Sequence, residues 1–458
     1  MSQIPTEKLK LSKLIAVLAC ALLLSVSVFG LGYEIAQDTF GRIALFFSMG
    51  FLGYLMILSF PDLLKHWRLW VGLGIGLRVL LLFGMPTLSD DVFRFLWDGH
   101  LLRSGINPFS ELPGYYLEQG QQIPGLSRDL FLALNSPDYF TIYPPFAQAT
   151  FVAAVWVFPK SILGATLLLK LILLLCELGN LWLIPKILKQ LQLPTSNVVI
   201  YALNPLIMVE VVGNLHYEGA MIFFLLLSMY LFFKQKDFWS ALAFSFSIAT
   251  KLLTVLFLPF YWSRSPRKRV LLYYVLVIIG TLLLFAPLLS NGFLDGFGSS
   301  VSLYFKKFEF NASLYYLIRW VGFQLVGYNI IQSVGPILGL LVVLVIGVAG
   351  LLDKSKEFRR LPVRMLGAIC LYLAFATTVH PWYASLPLVL CLFTHWRFPV
   401  IWSALIWLTY WNYDQAIYQE RMWVVALEYG IVFVWAYLEY RNQKLNPGSV
   451  LHFAKAPH

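Results

Sequence analysis

Residues 14–31 read LIAVLACALLLSVSVFGL, eighteen in a row without a charge. As an α-helix rising about 1.5 Å per residue this stretch reaches roughly 27 Å, close to the thickness of a bilayer's hydrocarbon core. It follows a basic start (Lys8, Lys10, Lys13) and offers no convincing small-residue cleavage site, so a retained first membrane helix is expected rather than a signal peptide. Comparable apolar runs recur at 43–58, 69–83, 163–184, 198–212, 220–233, 270–289, 330–352, 366–378, 386–393, 401–411 and 423–440. Run 146–158 is short for a crossing and reads as re-entrant or tilted. Run 238–262 is interrupted by Lys251 and reads as two short helices meeting there. The sequence therefore predicts an all-α polytopic transmembrane bundle, a single membrane domain over 1–458 with about twelve to fourteen spans.

The composition agrees. Of 458 residues, 59% are hydrophobic and 12% charged, whereas a soluble domain is about 25% charged. The formal charge of +11 lies in short clusters between apolar runs: Lys65 and Arg68; Arg264 to Arg269; Lys354 to Arg364; Arg441 and Lys444. That is the pattern of cytoplasmic loops, and it predicts no nucleic-acid partner. It places both termini in the cytoplasm of a multi-pass inner (plasma) membrane protein, with membrane lipids as its surroundings. Two longer segments, 86–145 and 290–329, fall outside, the first long enough for short helices of its own. The four cysteines, all inside apolar runs and without metal-ligand spacing, read as small hydrophobic residues.

Acidic residues gather in the outer segments, chiefly because lysines hold the inner ones. Asp90 and Asp91 stand out by following an apolar span within Ser89-Asp90-Asp91-Val92-Phe93-Arg94-Phe95-Leu96-Trp97-Asp98-Gly99-His100. On a helix Asp91, Arg94, Phe95 and Asp98 share a face, so Arg94 can pair with either acid. A carboxylate against an apolar wall suits a general base; a solvated helix start capped by Ser89 accounts for the same residues. Tyr143-Pro144-Pro145 gives a rigid re-entry, and His216 and Glu218 share a tight outer turn. Lys251, an isolated cation in an apolar run, calls for a cavity or a partner such as an anionic ligand. Arg319 adds a cation in the second outer segment. His380, Trp382 and Tyr383 fit either a sugar or phosphate site or an interfacial aromatic anchor. No Gly-rich phosphate loop, Walker motif or His/Cys metal spacing is present.

This pattern resembles a family. Asp90 to Gly99 followed by Gly105-Ile106-Asn107-Pro108-Phe109 looks like the first outer loop of polytopic C-type glycosyltransferases. It is most similar to bacterial polyprenol-phosphate-mannose-dependent mannosyltransferases. Tyr143 to Gln148, Asn204-Pro205-Leu206 with Glu210, Asn214 and His216, the break at Lys251, Phe308 to Asn311, and His380 to Tyr383 extend the match. The resemblance implies transfer of a hexose, by its nearest members mannose, from a polyprenyl-phosphate donor to a glycan, lipid or protein hydroxyl. Transfer would occur at the outer face, with inversion, as in assembly of a cell-envelope glycan. It implies Asp91 or Asp90 as base, Arg94, Asp98, Tyr143, His216, Glu218, Trp382 and Tyr383 around the substrates, and Lys251, His380 and Arg319 on the phosphate side. No cofactor is expected, and a divalent metal is left unassigned. A flippase or transporter for a lipid-linked sugar would share the spans, buried cations and outer aromatic rings, but predicts a path to both faces and often repeated halves. A structural envelope subunit would tolerate loss of both aspartates.

Overall fold

Apolar runs fold as helices because in lipid each backbone N–H and C=O must find a partner within the protein. The computed structural model describes residues 4–118, 122–289, 292–415 and 418–445. The start of the second outer segment at 290–291 and the extreme termini lie outside the described residues. The long helices are α1 (Ile4–Tyr33), α2 (Phe40–Ser59) and α3 (Trp67–Leu80). Next come α4 (Asp91–Arg103), α5 (Pro145–Val157), α6 (Ile162–Gln190), α7 (Glu218–Phe233) and α8 (Asp237–Thr250). Then follow α9 (Arg267–Phe285), α10 (Phe293–Lys306), α11 (Leu314–Val326), α12 (Ile331–Leu352), α13 (Leu361–Phe375) and α14 (Ser385–Cys391), and α15 (Met422–Leu445) ends the order. One isolated bridge, Phe310 with Thr378, is the extended pairing among the described residues.

Six helices are long and apolar enough to cross a membrane, and a seventh crossing is made if Thr195–Ala202 and Pro205–Gly213, bent by 56°, form one span. The twelve to fourteen spans expected also count shorter runs, and Pro145–Val157, Glu218–Phe233, Leu252–Tyr261 and Pro381–Cys391 are apolar helical stretches below the length of those six. Some of the runs are interrupted. The run 198–212 breaks at Asn204-Pro205 into a short helix, Val198–Ala202, and a π-turn, Met208–Gly213. After α8, Lys251 is extended (φ −155°, ψ 130°) and the chain continues as a 3-10 helix, Leu252–Tyr261. The break expected at Lys251 is thus present. Lipid-facing surfaces are plain on α9, where Leu271, Leu272, Val275, Ile278, Ile279, Leu282 and Leu283 are all exposed. Such a stripe in water would drive aggregation, so hydrocarbon is its natural solvent.

The ends of the bundle differ. Lys13 and Lys65 pair with Asp62 at 2.8 and 2.7 Å, whereas Leu31, at the other end of α1, receives Thr87 Oγ1 at 2.7 Å. Arg264 and Arg364 meet Asp353 beside the start of α9, while Leu288, past its far end, receives Asn107 Nδ2 at 2.7 Å. The basic loops therefore lie at one end and both long loop segments, expected to be outer, at the other. There α4 and α5 touch backbone to backbone: a Cβ on Gly99 would lie 2.6 Å from Phe151 O. Likewise a Cβ on Gly296 of α10 would lie 2.1 Å from Phe109 O, so glycine lets the two outer segments meet.

Deep in the bundle Arg78 and Glu177, both fully buried, pair at 2.9 Å. Arg78 also donates to Ala202 O (2.6 Å), and Glu177 accepts from Tyr201 (2.6 Å) and Asn180 (2.8 Å). Removing one partner strands a buried charge, so Arg78→Met should destabilise the protein by about 3–5 kcal/mol. Arg78→Met with Glu177→Leu should recover much of that loss, as read by thermal unfolding in detergent. Equal loss in the single and double variants would show that the pair's packing, and not its charge balance, is what matters.

Candidate active site at the loop-bearing end

The start of α4 is held from below. Asn214, just past the π-turn, accepts from Thr87 N and Leu88 N, both at 3.1 Å, through its single Oδ1. This fixes the chain immediately before Ser89-Asp90-Asp91. The helix cap is Asp90 rather than Ser89, and Ser89 Oγ accepts from Asp91 N at 3.3 Å. Asp91 is oriented by two donors from one segment of the first outer loop. Asn135 Nδ2 reaches its Oδ1 at 2.8 Å and the Tyr143 hydroxyl its Oδ2 at 3.0 Å. Tyr143 is in turn set edge-on between Phe95 and Phe151, at 4.8 and 5.4 Å between ring centres. Asp90 keeps surface open to solvent, yet the protein mass beside it and then the Asp91 charge push its pKa up.

Arg94 pairs with Asp98, not with Asp91: Nε to Oδ1 is 2.9 Å, and both are buried. Its other arm donates to Ser136 O (3.1 Å) and Tyr139 O (2.8 Å), and Gln148 supplies Asp98 Oδ2 at 3.0 Å. Two of the expected substrate residues thus face inward and hold segment 135–143, which carries both donors to Asp91.

Glu218, 1% exposed, pairs with Lys251, whose side chain is 22% exposed and also lies 4.7 Å from the Tyr383 ring. The break after α8 is what brings this ammonium out of the apolar run. Beside it runs a column of rings: His216 on Trp382 (3.5 Å), Trp382 on His380 (4.5 Å), and His380 against Phe310 (4.7 Å). His216 Nε2 lies 3.2 Å from buried Glu210, which accepts from Tyr410 at 2.6 Å. Burial first, then the charges of His216 and Lys251, lower the His380 pKa to about 3. His380 is therefore a neutral hydrogen-bonding group and not a cation; its Nδ1 has no partner among the described residues. Arg319 is placed apart from Lys251, with Glu309 at 2.5 Å and its guanidinium over the Tyr316 ring at 4.1 Å.

Tyr304 on α10 joins the two halves. Burial, then the charges of Asp91 and Glu218, raise its pKa. No spacing in the sequence marks Tyr304 or Asn135, because both arrive from distant segments. Among the described residues no three His, Cys, Asp or Glu side chains group as metal ligands. The arrangement supplies an oriented carboxylate, an ammonium, a neutral imidazole and stacked rings at the loop-bearing end of the bundle.

Residues 63–265 match a family model described as "Alpha-(1->6)-mannopyranosyltransferase, N-terminal domain". The curated "Alpha-(1->6)-mannopyranosyltransferase A" of Mycobacterium tuberculosis (strain ATCC 25618 / H37Rv) is 25% identical over 197 residues, or 41% of this chain and 36% of that protein. The chain is thus similar to bacterial mannosyltransferases, while its match spans about a third of that relative's length. The region covered by the family model includes Asp90, Asp91, Tyr143, His216, Glu218 and Lys251, and stops short of Arg319 and His380.

If Arg94 positions segment 135–143, Arg94→Ala should make that segment a preferred site of limited proteolysis in detergent while the transmembrane helices stay folded. Unchanged cleavage there would mean that the segment is held by other contacts.

Proposed function

We propose that this protein is an integral membrane hexosyltransferase, most simply a mannosyltransferase. In this reading it uses a polyprenyl-phosphate-linked donor and acts at the outer face of the inner membrane. The observations that carry the reading are two local arrangements: Asp91 held by Asn135 and Tyr143, and Lys251 paired with Glu218 beside the Tyr383 ring. The similarity to mannosyltransferases over 63–265 supports the sugar. The gathering of basic loops at the opposite end supports the sidedness.

In the proposed reaction the acceptor hydroxyl oxygen attacks C1 of the donor sugar. As the new C–O bond forms, the C1–O bond to phosphate breaks and its electron pair leaves with the polyprenyl phosphate. The hydroxyl proton passes to Asp91, whose two orienting donors fix its position without taking all its lone pairs. Attack opposite the leaving group inverts C1. Lys251 meets the charge that grows on the phosphate, exchanging part of its contact with Glu218 for the ligand. Neutral His380 donates a hydrogen bond, Trp382 and Tyr383 offer faces for the sugar, and His216 and Glu210 hold Trp382 in place. Arg94 and Asp98 act through segment 135–143. Arg319 acts from the Glu309 cluster, at the margin of the site.

The test is transfer from radiolabelled polyprenyl-phosphate-mannose by purified protein in nanodiscs. Asp91→Asn should lower the rate roughly 10²–10⁴-fold with an unfolding temperature near that of the parent, and Lys251→Ala roughly 10²–10³-fold, with some loss of stability because it leaves buried Glu218 unpaired. Full activity in Asp91→Asn would remove it as base. Movement of the lipid-linked sugar across liposomes without transfer would favour the flippase.

A pH profile separates the two aspartates. A raised pKa keeps Asp90 protonated where an ordinary carboxylate, near about 4, is already charged. If Asp90 must be an anion, activity falls on acidification from above that value, and Asp90→Asn abolishes the reaction. If Asp91 alone is the base, Asp90→Asn retains most of the rate.

A further inference from the structure

The last helix, α15, lies beyond the 63–265 match and carries a carboxylate that the proposed reaction leaves unused. Glu428 is fully buried, and among the described residues it forms no ion pair. Its partners are two neutral donors: Trp402 Nε1 at 2.8 Å, and Asn311 Nδ2 at 3.2 Å from Oε2. An acid inside a membrane bundle is costly, so what it holds is informative. Asn311 Oδ1 has no hydrogen-bond partner among the described residues, so Glu428 is the anchor of that side chain. The same turn is fastened twice more by this end of the chain. Asn311 N donates to Glu420, and the Tyr429 hydroxyl donates to Asn311 O at 2.8 Å. Asn311 needs such holding, because its φ of 46° lies in the left-handed region.

Asn311 in turn adjoins the pairing that ends at His380. Phe310, its neighbour, donates from N to Thr377 O at 3.1 Å and accepts from Val379 N at 2.7 Å. Thr377 Oγ1 donates to Tyr304 O at 2.8 Å, and Thr378 Oγ1 to Phe308 O at 3.0 Å. His380 follows these four bonds directly, and its ring lies 4.7 Å from that of Phe310. A shift of the Asn311 turn therefore moves both the backbone and the ring that set the imidazole. We infer that Glu428 is a positioning residue: through Asn311 and Phe310 it sets where His380 presents its hydrogen bond. The inference rests on the transferase reading for its kinetic consequence, and it gives a part in that site to a helix outside the matched region.

Because both donors to Glu428 are neutral, an amide can take the place of the carboxylate and a hydrocarbon cannot. With polyprenyl-phosphate-mannose as donor, Glu428→Leu should lower kcat roughly 10–10²-fold through misplacement, with KM little changed. Glu428→Gln should keep most of the rate. In a His380→Ala background Glu428→Leu should cost little more, because the group it places is gone. Losses that multiply, or an equal loss in Glu428→Gln, overturn the inference. Asn311→Gly removes the amide while suiting the positive φ, and it should repeat the Glu428→Leu result independently. A second measurement needs no donor and no turnover: NMR of 13C-histidine-labelled protein in detergent. The His380 resonance is identified there by its absence in His380→Ala. Glu428→Leu and Asn311→Gly should shift that resonance and Glu428→Gln should not, while His66, which begins α3 at the basic-loop end, stays in place. A His380 resonance unmoved in both variants overturns the inference even where transfer is seen. Failure of the parent to transfer from any polyprenyl-phosphate sugar would sink the enzyme reading alone, because the NMR result decides the positioning separately.

Discussion

In hydrocarbon a helix cannot be interrupted cheaply, because every freed N–H and C=O must find another partner. The breaks in this bundle follow that constraint. At Asn204-Pro205 the asparagine caps Ile207 N and also reaches Ser403 Oγ at 2.9 Å. The π-turn that follows is closed by His216 N on Glu210 O at 3.1 Å. Asn311, with a positive φ of 46°, is tied to Glu420 through its N–H, to Glu428 through its side chain and to Tyr429 through its carbonyl. Lys251 marks another break, and Thr378 and Val379 another beside Phe310. Irregular backbone is tolerated at membrane depth where protein surrounds it or where it lines a cavity. The polar groups needed for chemistry therefore gather at the breaks.

This explains what could be read from the sequence. An uninterrupted run such as 331–352 declares itself, because lipid contact demands apolar residues on nearly every face. Lys251 was legible for the opposite reason: a lone ammonium in such a run has to be rescued by structure. Asp90 and Asp91 were visible by their place after a span. The partner of Arg94 was not, since helix geometry allows both Asp91 and Asp98, and tertiary contacts with Ser136 and Tyr139 decide between them. Run length alone could not say which of the shorter apolar stretches cross, because such a stretch looks alike whether it spans the bilayer or folds back within the protein. Tyr304 left no trace, as its relevance comes from α10 packing across the first outer segment.

The charges in the loop-bearing end divide by what already satisfies them. Arg94 and Arg319 are bound to carboxylates and backbone or rings, and each fixes a segment. Lys251 is also paired, but with part of its side chain open, and its partner Glu218 retains an oxygen with no hydrogen bond among the described residues. That geometry leaves Lys251 able to take an incoming anion without giving up its only counter-charge. A neutral His380 beside it adds a donor without adding repulsion between cations.

The same reasoning separates the two proposed substrates in space. A polyprenyl phosphate brings one concentrated charge and a long apolar tail, so it needs an exposed ammonium beside lipid-facing helices. A hydroxyl acceptor brings weak donors and acceptors, so it gains from hydrogen-bonding side chains. In the proposed reaction Lys251 offers the first environment, and Asp91, held by Asn135 and Tyr143 of the first long loop, receives the second. A reaction that joins a sugar on a lipid phosphate to an acceptor hydroxyl requires its base at the boundary between two such environments. The proposal gives that place to Asp91, because segment 135–143 fixes its carboxylate from two directions.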